Sequence, residues 1–384
     1  PILLALSPLV RHFFMLTGQT GEQVELGYLY YRTLIYGSVF IVLRFALASF
    51  FLGIGRTTVV MIANGIGVLV NIPLNYILIF GKLGFPALGL QGAAIGTILG
   101  NMTIFLILLA FYLRGKNRAD FETHRALKFR PRIFRTLLKF GIPAGFEMFL
   151  GVTAFNLFVQ FMHSYGTQVA AAVTITFNWD IVAFIPMLGM GHATTALVGQ
   201  NIGACDYDEA RKSAFTALKV AWVYSLSMVA LFIFGTKFLV GMFVSGFAGD
   251  TQAITSLATV MIRLAAFYTL ADSAQLVFAG ALRGAGDTRW VMRMSVAMHW
   301  TFAVIAIILI TVVKVDPVIA WISFITFVMI FGVVMFIRFR NGKWRNIQLI
   351  DRGDKETMHY PLTGACQEVY VEEPADEVEE LLDR

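Results

Sequence analysis

Charge is what this chain has least of: Asp, Glu, Lys and Arg together make up 14% of its 384 residues, against roughly 25% in ordinary soluble domains. A soluble fold wrapped in a charged shell is excluded. Cysteine is nearly absent, with Cys205 and Cys366 alone. Both fall on segments expected to face the cytoplasm, where thiols stay reduced, so no disulfide framework is expected. The six His show no metal-ligand spacing. Gly53-x-Gly55-x-Thr57 lacks the Gly-Lys-Ser/Thr ending of a phosphate loop, and no Walker-type motif occurs elsewhere. With nucleotide chemistry missing, a driving force has to come from an ion gradient.

Apolar sequence fills the space. Hydrophobic residues reach 58% and the mean hydropathy is +0.73. Runs long enough to cross a hydrocarbon core, about 20 helical residues, fall near residues 24–52, 58–80, 88–113, 138–162, 168–199, 212–238, 252–282, 289–313 and 317–339. Residues 1–17 read as the outer end of one further helix. Orientation follows from the basic residues. The connection after the third run carries Arg114, Lys116, Arg118, Arg125, Lys128, Arg130, Arg132, Arg135 and Lys139, whereas connections 18–27 and 163–167 carry none. The former is therefore cytoplasmic. The +6 net charge is topological, and nucleic acid is not an expected partner. The acidic, aromatic-poor stretch Glu372–Arg384 suits a disordered cytoplasmic tail.

A ladder of identities recurs at a displacement of 231: Arg32 with Arg263, Gly53 with Gly284, Gly55 with Gly286, Thr57 with Thr288, Pro86 with Pro317. Arg32 and Arg263 lie six crossings apart, an even number, so the copies are parallel repeats with the pathway expected between them. Residues 138–238 have no counterpart in the first copy. The reading is an all-α polytopic membrane protein of two pseudo-symmetric lobes, N-terminally truncated, with about nine complete helices plus a partial one out of twelve. Its parts are an incomplete N-terminal lobe (1–113), a basic linker (114–137), a C-terminal lobe (138–340) and a tail (341–384).

Ionisable groups inside the hydrocarbon region are costly unless paired or wetted, which makes each a functional candidate. Glu147 lies about nine residues from the cytoplasmic start of its run and Asp272 about ten from the cytoplasmic end of its own, so both sit roughly 14 Å deep. Tyr268 and Gln275 share the helical face of Asp272. A carboxylate pair at one level can hold a proton or Na+, which then compete; the alternative is interhelical glue. Asp180, with Asn178 beside it and Pro186 freeing a carbonyl nearby, is a second-rank candidate for the pathway. His192 reads as a packed or water-facing histidine. Arg44 either snorkels or binds an anion. Asn71 and Asn75 give the first copy a polar face or an interhelical hydrogen bond. The 35 Phe and 16 Met suit bulky apolar cargo, although most face lipid.

Leu282-Arg283-Gly284-Ala285-Gly286-Asp287-Thr288, Val198-Gly199-Gln200-Asn201-Ile202-Gly203-Ala204 and Pro86-Ala87-Leu88-Gly89-Leu90-Gln91-Gly92-Ala93-Ala94, in this order and with the repeat, resemble the MATE family of multidrug and toxic compound extrusion transporters over about residues 8–340. The resemblance implies two six-helix lobes around a central cavity and alternating access. It also implies export of amphipathic, often cationic compounds in exchange for Na+ or H+, with no other cofactor. Glu147, after Gly141-Ile142-Pro143, is similar to the acidic residue of the family's seventh helix, and Asp272 to that of the tenth. Tyr268 resembles the aromatic residue at the cation site of sodium-coupled members, and Asn71 and Asn75 the polar pair of the first lobe. The expectation is therefore a non-enzymatic antiporter, monomeric in a bacterial inner membrane, with a small amphipathic molecule and the bilayer as partners. Rival readings are a lipid-linked saccharide flippase, which would line its cavity with more Arg, and a polytopic enzyme acting on lipids, which would cluster polar groups at one membrane face. A truncated product with no more than a structural role is a third.

Overall fold

The computed structural model describes residues 21–115, 117, 121, 129–244 and 251–347. The expected partial helix at 1–17, most of the basic linker and the acidic tail lie outside the described residues. These form ten α-helices: α1 (Gly21–Gly53), α2 (Thr57–Phe80), α3 (Gly89–Tyr112), α4 (Pro131–His163), α5 (Thr167–Gly203), α6 (Tyr207–Phe234), α7 (Thr236–Val244), α8 (Thr251–Gly284), α9 (Thr288–Ile307) and α10 (Pro317–Arg340). Nine candidate membrane spans occur among the described residues; the short α7 is not one, and α9 runs on through a π-helical turn, Ile308–Val313. The chain is an all-α, multi-pass membrane protein.

The nine runs read from hydropathy fall on the nine spans, and several helices begin well before them. α4 begins at Pro131 and α6 at Tyr207, because a backbone stays helical past the hydrocarbon edge wherever its ends are satisfied. Asp206 does this for α6, accepting from the Glu209 N–H at 2.8 Å, and Asp316 for α10, accepting from the Val318 N–H at 2.8 Å. Pro186 does not interrupt α5, which runs unbroken from Thr167 to Gly203. The carbonyl it frees four residues earlier, on Val182, accepts the Tyr224 hydroxyl at 3.1 Å.

The 231-residue ladder has a local structural counterpart. α1 ends at Gly53 and α2 starts at Thr57, with Gly55 at φ +74°; α8 ends at Gly284 and α9 starts at Thr288, with Gly286 at φ +83°. Both tight turns need a left-handed residue, which glycine adopts without a Cβ penalty.

The described residues divide into two compact units at Arg130 and Pro131. In the first, α3 packs on α1 and α2. Its small core is Phe51, Ala63, Ile104 and Leu108. Gly96 and Gly100 let α3 approach α2 at Asn75 and Asn71, where a Cβ on either glycine would collide. The second unit is larger, and α8 is its axis, packed against α5, α6 and α10. Aromatic rings fill its centre, among them Phe158 stacked on Phe324 at 5.2 Å and Phe302 on Phe327 at 4.7 Å. Cys205 takes a positive φ of +59° in the turn between α5 and α6, and the expectation for the two thiols rests in part on Cys366, which lies outside the described residues.

Candidate functional site

Small residues set the register of the site. On α5, Gly191, Thr195 and Gly199 recur every four residues; on α8, Gly280 and Gly284 do the same. A Cβ built on Gly280 would lie 2.3 Å from the Gly191 carbonyl oxygen, and one on Gly284 would lie 2.4 Å from that of Thr195. The backbones therefore touch, and the Thr195 hydroxyl donates across the seam to the Gly280 carbonyl at 2.9 Å. The two helices run parallel at this contact, since higher numbers on one meet higher numbers on the other. Carried up the seam, that register puts Asp180 level with Tyr268.

There the polar groups converge. Tyr268 is 3% exposed. It donates its hydroxyl to Asp180 Oδ1, and its ring meets Phe324 edge-on at 5.6 Å. Asp272 lies one turn along α8, on the same stripe as Tyr268, Leu276, Gly280 and Gly284. It is close enough for its charge to act on both Asp180 and Tyr268. Among the described residues it makes no hydrogen bond or ion pair. Gln275, 8% exposed, also makes none. A carboxylate in an apolar helix pair, with oxygen-bearing neighbours and no basic partner among the described residues, has the chemistry to accept a proton or a hard cation.

Glu147 belongs to a different cluster. Arg283 grips it with Nη2 at 2.6 Å from Oε1 and Nε at 3.3 Å from Oε2, and the Ser295 hydroxyl donates to Oε1 at 3.0 Å. His299 sits one turn beyond Ser295; it donates Nδ1–H to the Ser295 carbonyl at 2.7 Å and packs against Phe327 and Phe331. Arg283 is eleven residues past Asp272 on α8, about 16 Å along the axis. The equal depth read for Glu147 and Asp272 thus does not make them partners, because depth counted along separate helices carries no information about which neighbour each side chain meets. The Glu147 and Arg283 side chains are 11% and 28% exposed, a largely buried and internally neutralised pair.

The remaining candidates are more local. Asn178 is exposed and donates to its own helix at the Thr174 carbonyl, 2.8 Å away. Asn75 donates to Asn71 Oδ1 at 3.2 Å within α2. The Asn75 Oδ1 is buried without a partner. Arg44 has partners of its own: its Nη1 donates to Asn64 Oδ1 at 3.0 Å and its guanidinium lies over the Phe45 ring at 4.7 Å. Arg263 and His192 are exposed, and so is Arg32, which lies over Tyr36. Sequence reasoning missed Arg283 as the partner of Glu147. The signal was available: Arg283 is basic, ends a membrane helix and lies inside the Leu-Arg-Gly motif. Ser295, His299 and Asn64 gave no such signal.

Comparison with known proteins agrees with this architecture. A curated relative described as a probable multidrug resistance protein NorM, from Mannheimia succiniciproducens, is 31% identical over 312 residues, covering 79% of this chain and 66% of the relative. Another of the same description, from Pasteurella multocida, is 29% identical over 281 residues, covering 73% of this chain and 59% of the relative. The chain thus spans about three fifths to two thirds of the length of these relatives. Among solved structures, a MATE in complex with MaL6 aligns with a TM-score of 0.79 at 22% identity, over 90% of this chain and 76% of that one. An outward-facing multidrug resistance MATE family transporter of the MOP superfamily aligns at 0.78 with the same identity and coverage. At that identity the likeness speaks for the fold. The MatE family model matches residues 1–77 and 143–312, more than half of the sequence, and the chain belongs to that family.

Proposed function

We propose that this chain works as an ion-coupled efflux antiporter of a bacterial inner membrane. It would act as a monomer and export amphipathic, often cationic small molecules in exchange for Na+ or H+. It is a carrier and not an enzyme. The observation that carries the reading is Asp272, a carboxylate on the axial helix of the second unit that lies beside Tyr268 and Asp180 and has no hydrogen bond or ion pair among the described residues. Leaving it charged there is costly, roughly 2.5–3.5 kcal/mol on insertion scales, so a cation that neutralises it stabilises whichever conformation closes around it. If that conformation binds cargo poorly, filling the seat expels the cargo, and a few kcal/mol of differential affinity suffices to shift the balance between the two states. Relatives described as multidrug resistance proteins support the choice of cargo.

A flippase for lipid-linked saccharides would need free arginines on an inner surface. Arg283 is neutralised by Glu147, and Arg44 is tied to Asn64. The Asp180–Tyr268–Asp272 cluster also lies within helices and away from their ends, unlike the site of an enzyme working on lipid headgroups. The test is ethidium movement in proteoliposomes under imposed Na+ or proton gradients. Asp272→Asn is expected to abolish gradient-driven movement while leaving protein incorporation intact. Gradient-driven movement that survives Asp272→Asn removes this carboxylate from the mechanism.

A further inference from the structure

We infer that Asp180 of α5 is the second carboxylate of the cation seat, facing Asp272 across the α5–α8 seam and completed by Tyr268 and Gln275, and that the ion it takes is sodium. The inference rests on the reading of Asp272 as the seat. It changes which helix shares the load: α5 in place of α4, the helix that bears Glu147.

Four observations carry it. The small-residue seam at Gly191, Thr195 and Gly280 holds α5 and α8 in backbone contact, so the level of Asp180 relative to α8 is fixed by packing. At that level Tyr268 bonds Asp180 and not Asp272, which ties the tyrosine to α5 and leaves the Asp272 oxygens open. Residues 181–190 of α5 (Ile, Val, Ala, Phe, Ile, Pro, Met, Leu, Gly, Met) offer no polar side chain, so Asp180 is the polar group this stretch of α5 brings to Asp272. Finally, Gln275 is more than nine-tenths buried and lacks a hydrogen-bond partner among the described residues. It follows Asp272 by three residues and Tyr268 by seven, which places all three within about 60° of one another around α8. The Gln275 amide oxygen, bonded to no other group among the described residues, is available to turn to a bound cation.

The donor set is all oxygen: two carboxylates, a phenol hydroxyl and an amide. Such hard donors suit an alkali or alkaline-earth cation over a transition metal. Two carboxylates and Na+ leave the seat with one net negative charge. Glu147 has no part in this, because its charge is already taken up by Arg283 and Ser295.

The experiment is equilibrium binding of radiolabelled Na+ to the purified chain in lipid nanodiscs, comparing the parent with Asp180→Asn, Asp272→Asn and Glu147→Gln. Thermal unfolding confirms that each variant is folded, and Asp180→Glu serves as a charge-preserving control. The parent is expected to bind saturably. Asp180→Asn should weaken binding about tenfold or more, Asp180→Glu should recover part of it, Asp272→Asn should abolish it, and Glu147→Gln should leave it within about twofold. Parent-like binding in Asp180→Asn, with binding lost in Asp272→Asn, overturns the role of Asp180 while leaving the Asp272 seat standing. Parent-like binding in both aspartate variants overturns the seat itself. So does a parent that binds no Na+ with respect to the sodium assignment. A Glu147→Gln variant that loses binding as fully as Asp272→Asn returns the second carboxylate to α4 and also overturns the inference.

Discussion

Replacing Gly280 by alanine tests whether the α5–α8 seam really sets the site. The added methyl would lie 2.3 Å from the Gly191 carbonyl oxygen, about 1 Å inside ordinary contact distance, and the obstructing atom is backbone that no rotamer change can move aside. The helices must separate by about that much. Overpacking of this kind costs about 1–3 kcal/mol. The same movement stretches the 2.9 Å bond from Thr195 to the Gly280 carbonyl past bonding range, at about 1 kcal/mol more. Loss of stability of about 2–4 kcal/mol is therefore expected, read by denaturant unfolding in micelles. Sodium binding should weaken with it, because Asp180 is carried away from Asp272. Gly189→Ala on the same helix is the control: a Cβ there meets nothing within 4 Å, and alanine for glycine in a helix should stabilise by up to about 1 kcal/mol. If Gly280→Ala matches Gly189→Ala in stability and in ion binding, the seam does not hold the site and the argument from register fails.

Glu147→Gln should destabilise the chain by about 3 kcal/mol, since it strands the Arg283 guanidinium in a largely buried place. The double variant with Arg283→Met should regain most of that loss in an unfolding cycle, and equal additive losses would show that the two residues do not act as a pair. Asp287, at the turn before α9, is pushed up from the ordinary aspartate range by burial, with the Arg338 hydrogen bond and charge opposing the shift. A raised folded-state pKa means that the folded chain holds this proton more tightly than the unfolded chain does. The contribution of Asp287 is thus fully present below its unfolded pKa and is lost as pH rises through the folded one. Compared with the parent, Asp287→Asn should lack that downward component of stability between about pH 4 and neutrality, measured as thermal unfolding against pH. An identical pH profile for both proteins refutes it.

Most of the fold was legible because the bilayer dictates it: backbone groups in hydrocarbon must be satisfied within a helix, so long apolar runs have one outcome. The repeat was legible too, down to the glycines at positions 55 and 286 that take positive φ. What hydropathy does not encode is the azimuth of each helix. Asp180 looked secondary because it stood alone on its span; its importance comes from a parallel contact with α8, set by glycines eleven and more residues away. Glu147 looked equivalent to Asp272 because both were counted inward from helix ends. Its actual neighbours, Arg283 and Ser295, come from two other helices whose facing sides follow from packing alone. The carbonyl that Pro186 frees is legible from the sequence, but that Tyr224 of α6 takes it up follows from packing alone.

The central claim is that cation and cargo exclude each other through Asp272, and ethidium binding to the chain in nanodiscs, followed by fluorescence anisotropy during a titration with Na+ or with acid, tests it most directly. The account predicts that at least one of the two cations raises the apparent Kd for ethidium in the parent, and that Asp272→Asn binds ethidium with an affinity neither cation alters. Ethidium affinity in the parent that stays constant through both titrations would contradict it.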